Sequence, residues 1–332
     1  MQTISLVGAA SFLPETIIDN EHFMNASGIK RHPMFRGTKL RRHIKDTESA
    51  TTMATAAINS LKEKLNLNLV NDVDVLITNV TIPDIPFVGC GAAIVGALGL
   101  KPKTVYDLQN GGCVSFIFMM ELAQMILNST EAKSAIICNI QTAAGRICGQ
   151  DDNLKLPQSA VPGDGCGAAY FVKGDRNPIH SIVTKTHGEY ANDMKIVTSD
   201  GRDWWQPGTT AFNIDFGEEK ISSVIARGNK LVPEVMYEAL ALADLQASNI
   251  DTLITNQPNR IFLRNWREAI QLDEDQHINT LPDHGNLFGA GIPISLTLGL
   301  DSGRIKPGTK ILLSGFSHAG DYSAGAVLSW NG

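Results

Sequence analysis

The segment DLQNGGCVSFIFMMELAQMIL sets Cys113 directly after two glycines, at the start of a run that is apolar on most of its faces. Such a run reads as a buried helix. A cysteine at a helix start faces unpaired backbone N–H groups and the positive end of the helix dipole, which favour thiolate and can bring a thiol pKa into roughly the 3.5–7.5 range. That arrangement would make a nucleophile without an adjacent base. The competing expectation is a structural cysteine packed in the core; Gly111 and Gly112 weigh against it, because they permit a tight turn and close approach of a substrate.

Two further clusters are chemically distinctive. The stretch from Lys30 to Lys45 carries seven basic residues (Lys30, Arg31, Arg36, Lys39, Arg41, Arg42, Lys45) and no acid, which reads either as an anion-binding arm or as a solvated basic loop. Trp204 and Trp205, in SDGRDWWQPGTTAFNIDF, supply apolar area with a polar edge, suited to lining a pocket or to core packing.

The elements that must position these residues follow from the pattern of the chain. With 332 residues and 43% apolar content it can bury a sizeable core of about two domain-sized units. A formal net charge of −6 argues against nucleic-acid binding, which rests on a basic field. The opening MQTISLVGAASFLPETIID lacks a basic leader region and reads as a first strand. No run approaches the 18 consecutive apolar residues of a membrane span, so no membrane partner is expected. Five cysteines (Cys90, Cys113, Cys138, Cys148, Cys166) show no zinc-type spacing, and free thiols in a reducing cytoplasm are expected, with no metal.

Helical patterns alternate with short β-branched runs, the signature of an α/β fold with largely parallel sheets. Met53, Ala57, Leu61 and Leu65 form one helical stripe before the strand VDVLITN at 73–79. In the second half Pro233 and Glu234 suit the first turn of a helix through MYEALALADL, before the near-identical strand IDTLITN at 250–256. SAIICNIQTAAG from Ser134 and TKILLSGFSHAG from Thr309 repeat that offset almost unchanged, which predicts an internal duplication with a break near GDRNPIH. The expected halves are residues 1–175, carrying Cys113, and 176–332.

Seven segments in order resemble the β-ketoacyl-acyl-carrier-protein synthase III family of the thiolase superfamily. They are RGTKLRRH at 36–43, DLQNGGCVSF, GDGCGAAYFV at 163–172, ITNQPNRI at 254–261, HGNLFGAGIP at 284–293, SGRIKPGTKILLSGF at 302–316 and the terminal GAVLSW. The resemblance spans almost the whole chain. It implies the thiolase fold, with two duplicated α/β halves stacked as α-β-α-β-α layers, and a homodimer. It also implies that Cys113 is the acyl-carrying nucleophile and Asn286 the catalytic asparagine, while Arg36, Arg42 and Asn259 approach the phosphates and pantetheine arm of a thioester substrate.

The family's catalytic histidine does not carry over: Asn256 stands where the pattern HQAN begins, with Pro258 in place of the alanine. A side-chain amide donates hydrogen bonds but has no basic nitrogen near neutral pH, so Asn256 and Asn286 could form a two-donor oxyanion site without transferring a proton. His284, just before Gly285 and Asn286, and His318, in SGFSHAGDYSAG, are the candidate substitute bases. The expected activity is acyl transfer from coenzyme A or an acyl carrier protein onto Cys113 and then to a small-molecule acceptor in a specialised secondary-metabolite or lipid pathway. No permanently bound cofactor is expected; the coenzyme A or phosphopantetheine thioester enters as substrate. Decarboxylative carbon–carbon condensation and a catalytically silent subunit of a heteromeric synthase are the alternatives.

Overall fold

In the computed structural model residues 3–332 are described. The first half runs β1 (Ile4–Phe12), β2 (Thr16–Asp19), α1 (Asn20–Ser27), β3 (Leu40–His43), α2 (Ala50–Leu65), β4 (Val75–Val80) and α3 (Gly91–Leu98). It continues with β5 (Thr104–Asp107), α4 (Ser115–Ser129), β6 (Ser134–Gln141), α5 (Asp151–Leu154) and β7 (Gly165–Lys173). The second half runs β8 (Ile179–Thr186), β9 (Lys195–Thr198), β10 (Phe212–Asp215), α6 (Ile221–Leu242) and β11 (Thr252–Thr255). After these come α7 (Arg260–Ala269), α8 (Leu281–His284), α9 (Gly291–Asp301), β12 (Thr309–Ser317) and β13 (Tyr322–Trp330).

Two sheets follow one plan. The first has the order β1-β7-β6-β4-β5 and the second β8-β13-β12-β11. In each, a parallel core (β4 with β5 and β6; β11 with β12) is extended by two antiparallel strands, so that four of the seven pairings are antiparallel and the expectation of largely parallel sheets is corrected. The place of β5 is taken in the second sheet by a single parallel bridge between Leu253 and His277. The near-identity of VDVLITN and IDTLITN is thus the identity of two equivalent strands.

Burial arranges the helices in layers. Between the sheets α4 and α9 share one core with Ile4, Ile77, Ile137, Ile254, Ile311 and Ala326. Outside the first sheet α2 and α3 bury Met53, Ala57, Leu61 and Ile94; outside the second, α6 and α7 bury Val235, Met236, Leu263 and Trp266. The layering is therefore α-β-α-β-α. Among the described residues only the Gly112–Ser129 stretch is long and apolar enough to cross a membrane, and it lies in the middle layer with more than half of its residues buried. Its all-round apolarity reflects a sheet on either side.

Local signals fix several ends. Ser49 and Thr52 form a reciprocal capping box at the start of α2, and Asn66 closes it in a left-handed conformation. The expectation for Pro233 is corrected: it lies inside α6, well past the helix start at Ile221. Proline removes one intrahelical hydrogen bond. Here Leu231, Val232, Val235, Met236, Ala239 and Leu240 bury a continuous stripe on both sides of it, and that packing carries the helix through.

His277 supports β11, accepting or donating a hydrogen bond at Nε2 with Thr255 Oγ1 (3.1 Å), one residue before Asn256. Burial lowers its pKa to about 3. The unfolded chain protonates this histidine below about pH 6.5, the folded chain only near 3. Acid in that window therefore favours unfolding, by up to about 1.4 kcal/mol per pH unit. Thermal unfolding between pH 7 and 4 should show a smaller loss of Tm in His277→Gln, which cannot titrate, than in the wild type. Equal losses would show that His277 is not a source of the acid sensitivity.

Candidate active site at the junction of the two halves

Cys113 sits in a single 3-10 turn, Gly112–Val114, that leads into α4. Gly111 (φ 84°) and Gly112 (φ 41°) hold left-handed backbone. A methyl group on Gly111 would meet Ser115 Cα at 2.9 Å, and one on Gly112 would meet His318 Nε2 at 2.6 Å. The two glycines are thus required both by conformation and by space.

The other half of the molecule clasps this turn. The Ser317 hydroxyl, at the end of β12, accepts from Val114 N–H (3.2 Å) and donates to the Gly111 carbonyl. Beneath the turn, Ser115 Oγ donates to Asn79 Oδ1 (3.1 Å) and accepts from Asn139 Nδ2 (2.8 Å), a buried network linking α4 to β4 and β6. The loop that follows Asn286 packs on the same turn: a methyl group on Gly289 would meet Ser115 Oγ at 2.7 Å and the Gly112 carbonyl at 2.8 Å.

The sulfur keeps partial exposure within a densely packed surround. The backbone N–H of His318, the side-chain amide of Asn256 and the N–H of Cys113 itself turn toward it. Burial nevertheless pushes the thiol up to about 12, and Asp321 adds to the rise. The expectation of a thiol lowered by the helix start is therefore overturned, because desolvation outweighs the N–H groups and the thiol stays protonated at neutral pH without a base.

Asn256 is clamped at both ends of its amide. Nδ2 donates to the Phe316 carbonyl (3.0 Å) and Oδ1 accepts from Phe316 N–H (3.3 Å), so the side chain extends the ladder of β12 as a backbone unit would. Asn286 is buried, with Oδ1 accepting from Phe288 N–H at 3.0 Å and its main chain tied to Val161 and Gly163.

His318 has φ +48°, an unusual conformation for a non-glycine residue. Its Nδ1 lies 2.9 and 3.1 Å from the two carboxylate oxygens of Asp321. The loop is braced from α6 by Arg227, which bonds the Ala319 carbonyl, pairs with Asp193 (3.0 Å) and stacks over the Tyr190 ring at 3.6 Å. Cys113, Asn256 and His318 are therefore gathered from the two halves, and the loop that follows Asn286 packs on the same turn. His284 stands apart from them, its pKa lowered mainly by burial, with Asp283 and Arg42 as charged neighbours and a buried, unpaired Nδ1.

The basic stretch divides. Arg41 is fully buried, bonding Asn20 Oδ1 and the Ala160 carbonyl over the Phe23 ring, and so is a structural residue. Arg42 spends one nitrogen on the carbonyls of Pro14 and Glu15. Arg36 is exposed, and the adjacent Gly37 packs beside Arg260. Asn259 caps α7 through Oδ1, accepting from Ile261 and Phe262 N–H (both 3.0 Å). Trp204 and Trp205 are 51% and 65% exposed, which excludes core packing.

Sequence reasoning missed Ser317, Asp321 and the Asn79–Ser115–Asn139 network. The available signal was asparagine inside the otherwise apolar strands VLITNV and SAIICNIQ, since a polar residue in a buried strand needs a partner.

This layered, duplicated α/β molecule with a cysteine at the start of its central helix has the thiolase fold. Residues 240–330 match the family model for the C-terminal part of 3-oxoacyl-[acyl-carrier-protein (ACP)] synthase III. Over 99% of both chains the protein is 26% identical to the β-ketoacyl-[acyl-carrier-protein] synthase III of Neisseria gonorrhoeae. Its structure is similar to the priming β-ketosynthase of the R1128 polyketide biosynthetic pathway (TM-score 0.87, 20% identity, 99% of this chain and 97% of that one). It is similar also to 3-oxoacyl-[acyl-carrier-protein] synthase III from Aquifex aeolicus (TM-score 0.85, 20% identity, 98% and 100%). The chain is thus similar to synthase III enzymes along almost its whole length and shares their fold.

Removing the Ser317 hydroxyl breaks the tie from β12 to the cysteine turn and leaves only the turn's own bond from Val114 N–H to the Gly111 carbonyl (2.8 Å). Ser317→Ala should lower stability by about 0.5–1.5 kcal/mol in denaturant unfolding. A loss below about 0.5 kcal/mol would show that the clasp is not what holds the turn.

Proposed function

We propose that this protein is an acyltransferase of the synthase III type, in which Cys113 takes an acyl group from a coenzyme A or acyl-carrier-protein thioester and passes it to a small-molecule acceptor. The observation that carries this reading is the convergence on one buried turn of a thiol, two backbone N–H groups, an amide and an imidazole from opposite halves. Covalent catalysis through a thioester and a ping-pong course follow from a cysteine so placed.

On loading, the Cys113 sulfur attacks the thioester carbonyl carbon and its proton leaves to His318. The N–H groups of Cys113 and His318, both directed at the sulfur, are placed to receive the developing oxyanion, a device worth about 2.7–4 kcal/mol per donor. The tetrahedral intermediate collapses as the bond to the pantetheine sulfur breaks, and that sulfur takes the proton. Asn256, with no basic nitrogen and its oxygen bonded to β12, contributes a hydrogen bond only. Asn286 adds a side-chain donor from the loop that packs on the turn, Arg36 and Arg42 receive the phosphates of the donor, and Asn259 holds its pantetheine arm. The reaction calls for no permanently bound cofactor. We assign it to specialised secondary-metabolite or lipid biosynthesis in the cytoplasm, because a condensing enzyme of the usual pattern would retain the histidine that Asn256 replaces.

A homodimer completes this reading. Ile85, Phe87 and Val88 are exposed, Phe87 to 98% and with a left-handed φ of 70°, beside the uncovered edge strand β5 with its exposed Tyr106. An apolar patch next to an open strand edge is suited to a second copy of the same surface. Phe87→Asp should convert the protein to a monomer in sedimentation velocity, and an unchanged species would remove Phe87 from the interface.

Intact-protein mass spectrometry after mixing with acetyl, octanoyl and malonyl thioesters should show one acyl adduct, mapped to Cys113 and abolished in Cys113→Ala. No adduct with any donor would favour a silent subunit. Release of carbon dioxide with a β-keto product would favour condensation over transfer.

A further inference from the structure

Asp321 has no part in the reading above, yet its side chain is largely shielded and is directed entirely at His318. Both carboxylate oxygens lie within 3.1 Å of Nδ1. A carboxylate in that place accepts the Nδ1 proton of a neutral imidazole, which leaves the lone pair on Nε2. That nitrogen lies against Gly112, the residue before the nucleophile, while the N–H of His318 points at the sulfur itself. Nε2 makes no hydrogen bond to another described residue. The Ser317 hydroxyl beside it spends its one proton on the Gly111 carbonyl. An atom of a substrate bonding to the thioester carbon would therefore meet a free base on the His318 side.

Resting on the acyltransferase reading, we propose that Asp321 is the positioning residue of a Cys113–His318–Asp321 relay, and that this relay directs the acyl group to a hydroxyl or amine acceptor. In the transfer half-reaction the acceptor's O–H or N–H gives its proton to His318 Nε2 as the oxygen or nitrogen bonds to the acyl carbon. The carbon–Sγ bond then breaks, and Cys113 recovers the proton from His318. Asp321 holds the tautomer and steadies the imidazolium. Decarboxylative attack by carbon has no acceptor proton to remove, so a base held in this way serves heteroatom transfer.

The loop geometry is built for this. Ser317 O accepts from Gly320 N–H (2.8 Å), closing the turn that brings His318 and Asp321 together. The Asp321 carbonyl accepts from His187 N–H (2.7 Å) across from β8. The titratable and charged groups facing the pair are Cys113 from the nucleophile turn, Tyr322 edge-on to the ring at 6.2 Å, His187, and the Arg227–Asp193–Lys220 ion-pair cluster behind the loop. None of these other than Asp321 bonds the imidazole.

The test reads Cys113 directly and needs no acyl substrate. The rate of Cys113 alkylation by iodoacetamide, followed on the Cys113 peptide by mass spectrometry from pH 5 to 10.5, should reach a plateau in the wild type. In Asp321→Asn, where the amide donates to Nδ1 and turns an N–H toward the thiol, the neutral-pH rate should fall about 100-fold. It should then climb about tenfold per pH unit, as for an unassisted thiol. His318→Asn, which tolerates the left-handed backbone, should behave like Asp321→Asn. Asp321→Glu should recover part of the plateau, and all variants should keep the wild-type Tm within a few degrees. Superimposable profiles for wild type and Asp321→Asn, or no plateau in the wild type, would overturn the relay. A plateau without any acyl adduct in the loading experiment would instead count against the acyltransferase reading alone. Preloaded acyl-Cys113 should then be cleared by ethanolamine faster in the wild type than in Asp321→Asn. Equal rates would overturn the assignment to heteroatom acceptors.

Discussion

The hydroxyl of Ser317 bonds to both ends of the turn that presents Cys113, and through it the end of β12 grips the start of α4. Residues some two hundred positions apart become neighbours at this point. The grip is possible because α4 and α9 fill one apolar layer between the two sheets, so that the ends of the equivalent strands β6 and β12 face a common interior. Two left-handed glycines let the chain turn tightly enough to meet Ser317, and they leave the space that the His318 ring occupies.

Burial sets the chemistry of that turn. In an open site the helix start and nearby N–H groups would favour thiolate. Here the packed surround raises the thiol to about 12, so hydrogen bonds to the sulfur alone cannot ionise it. Ionising this thiol therefore requires a base, and that requirement comes from the close packing itself. Asn256 cannot be that base. Its amide is bonded in both directions to Phe316, which makes it part of the sheet edge and leaves it only a hydrogen atom to offer the site.

The histidine that does stand at the turn arrives on a loop with its own supports. A left-handed His318 is unfavourable by itself, and it is held by the Asp321 carboxylate, the Ser317–Gly320 turn and the Arg227 brace from α6. Strained backbone that is over-determined by its neighbours is typical of functional sites. The second sheet therefore supplies not only donors but also a fixed direction for the imidazole.

The sequence alone carried the repeat, the α/β class and the helix that opens after Cys113, because each of these is local. The period of apolar residues reports which face is buried, and a near-copy of a strand reports its equivalent. It misread Pro233, because a stripe that packs on a sheet outweighs one lost hydrogen bond. It assigned Cys113 a lowered pKa, because desolvation depends on neighbours from the whole fold and not on position in a helix. Arg41 read as part of a surface arm until the fold buried it over Phe23. The contacts of Ser317 and Asp321 and the placing of His318 beside Gly112 were decided only by tertiary structure, since hydrogen bonds between side chains distant in sequence leave no periodic trace in it.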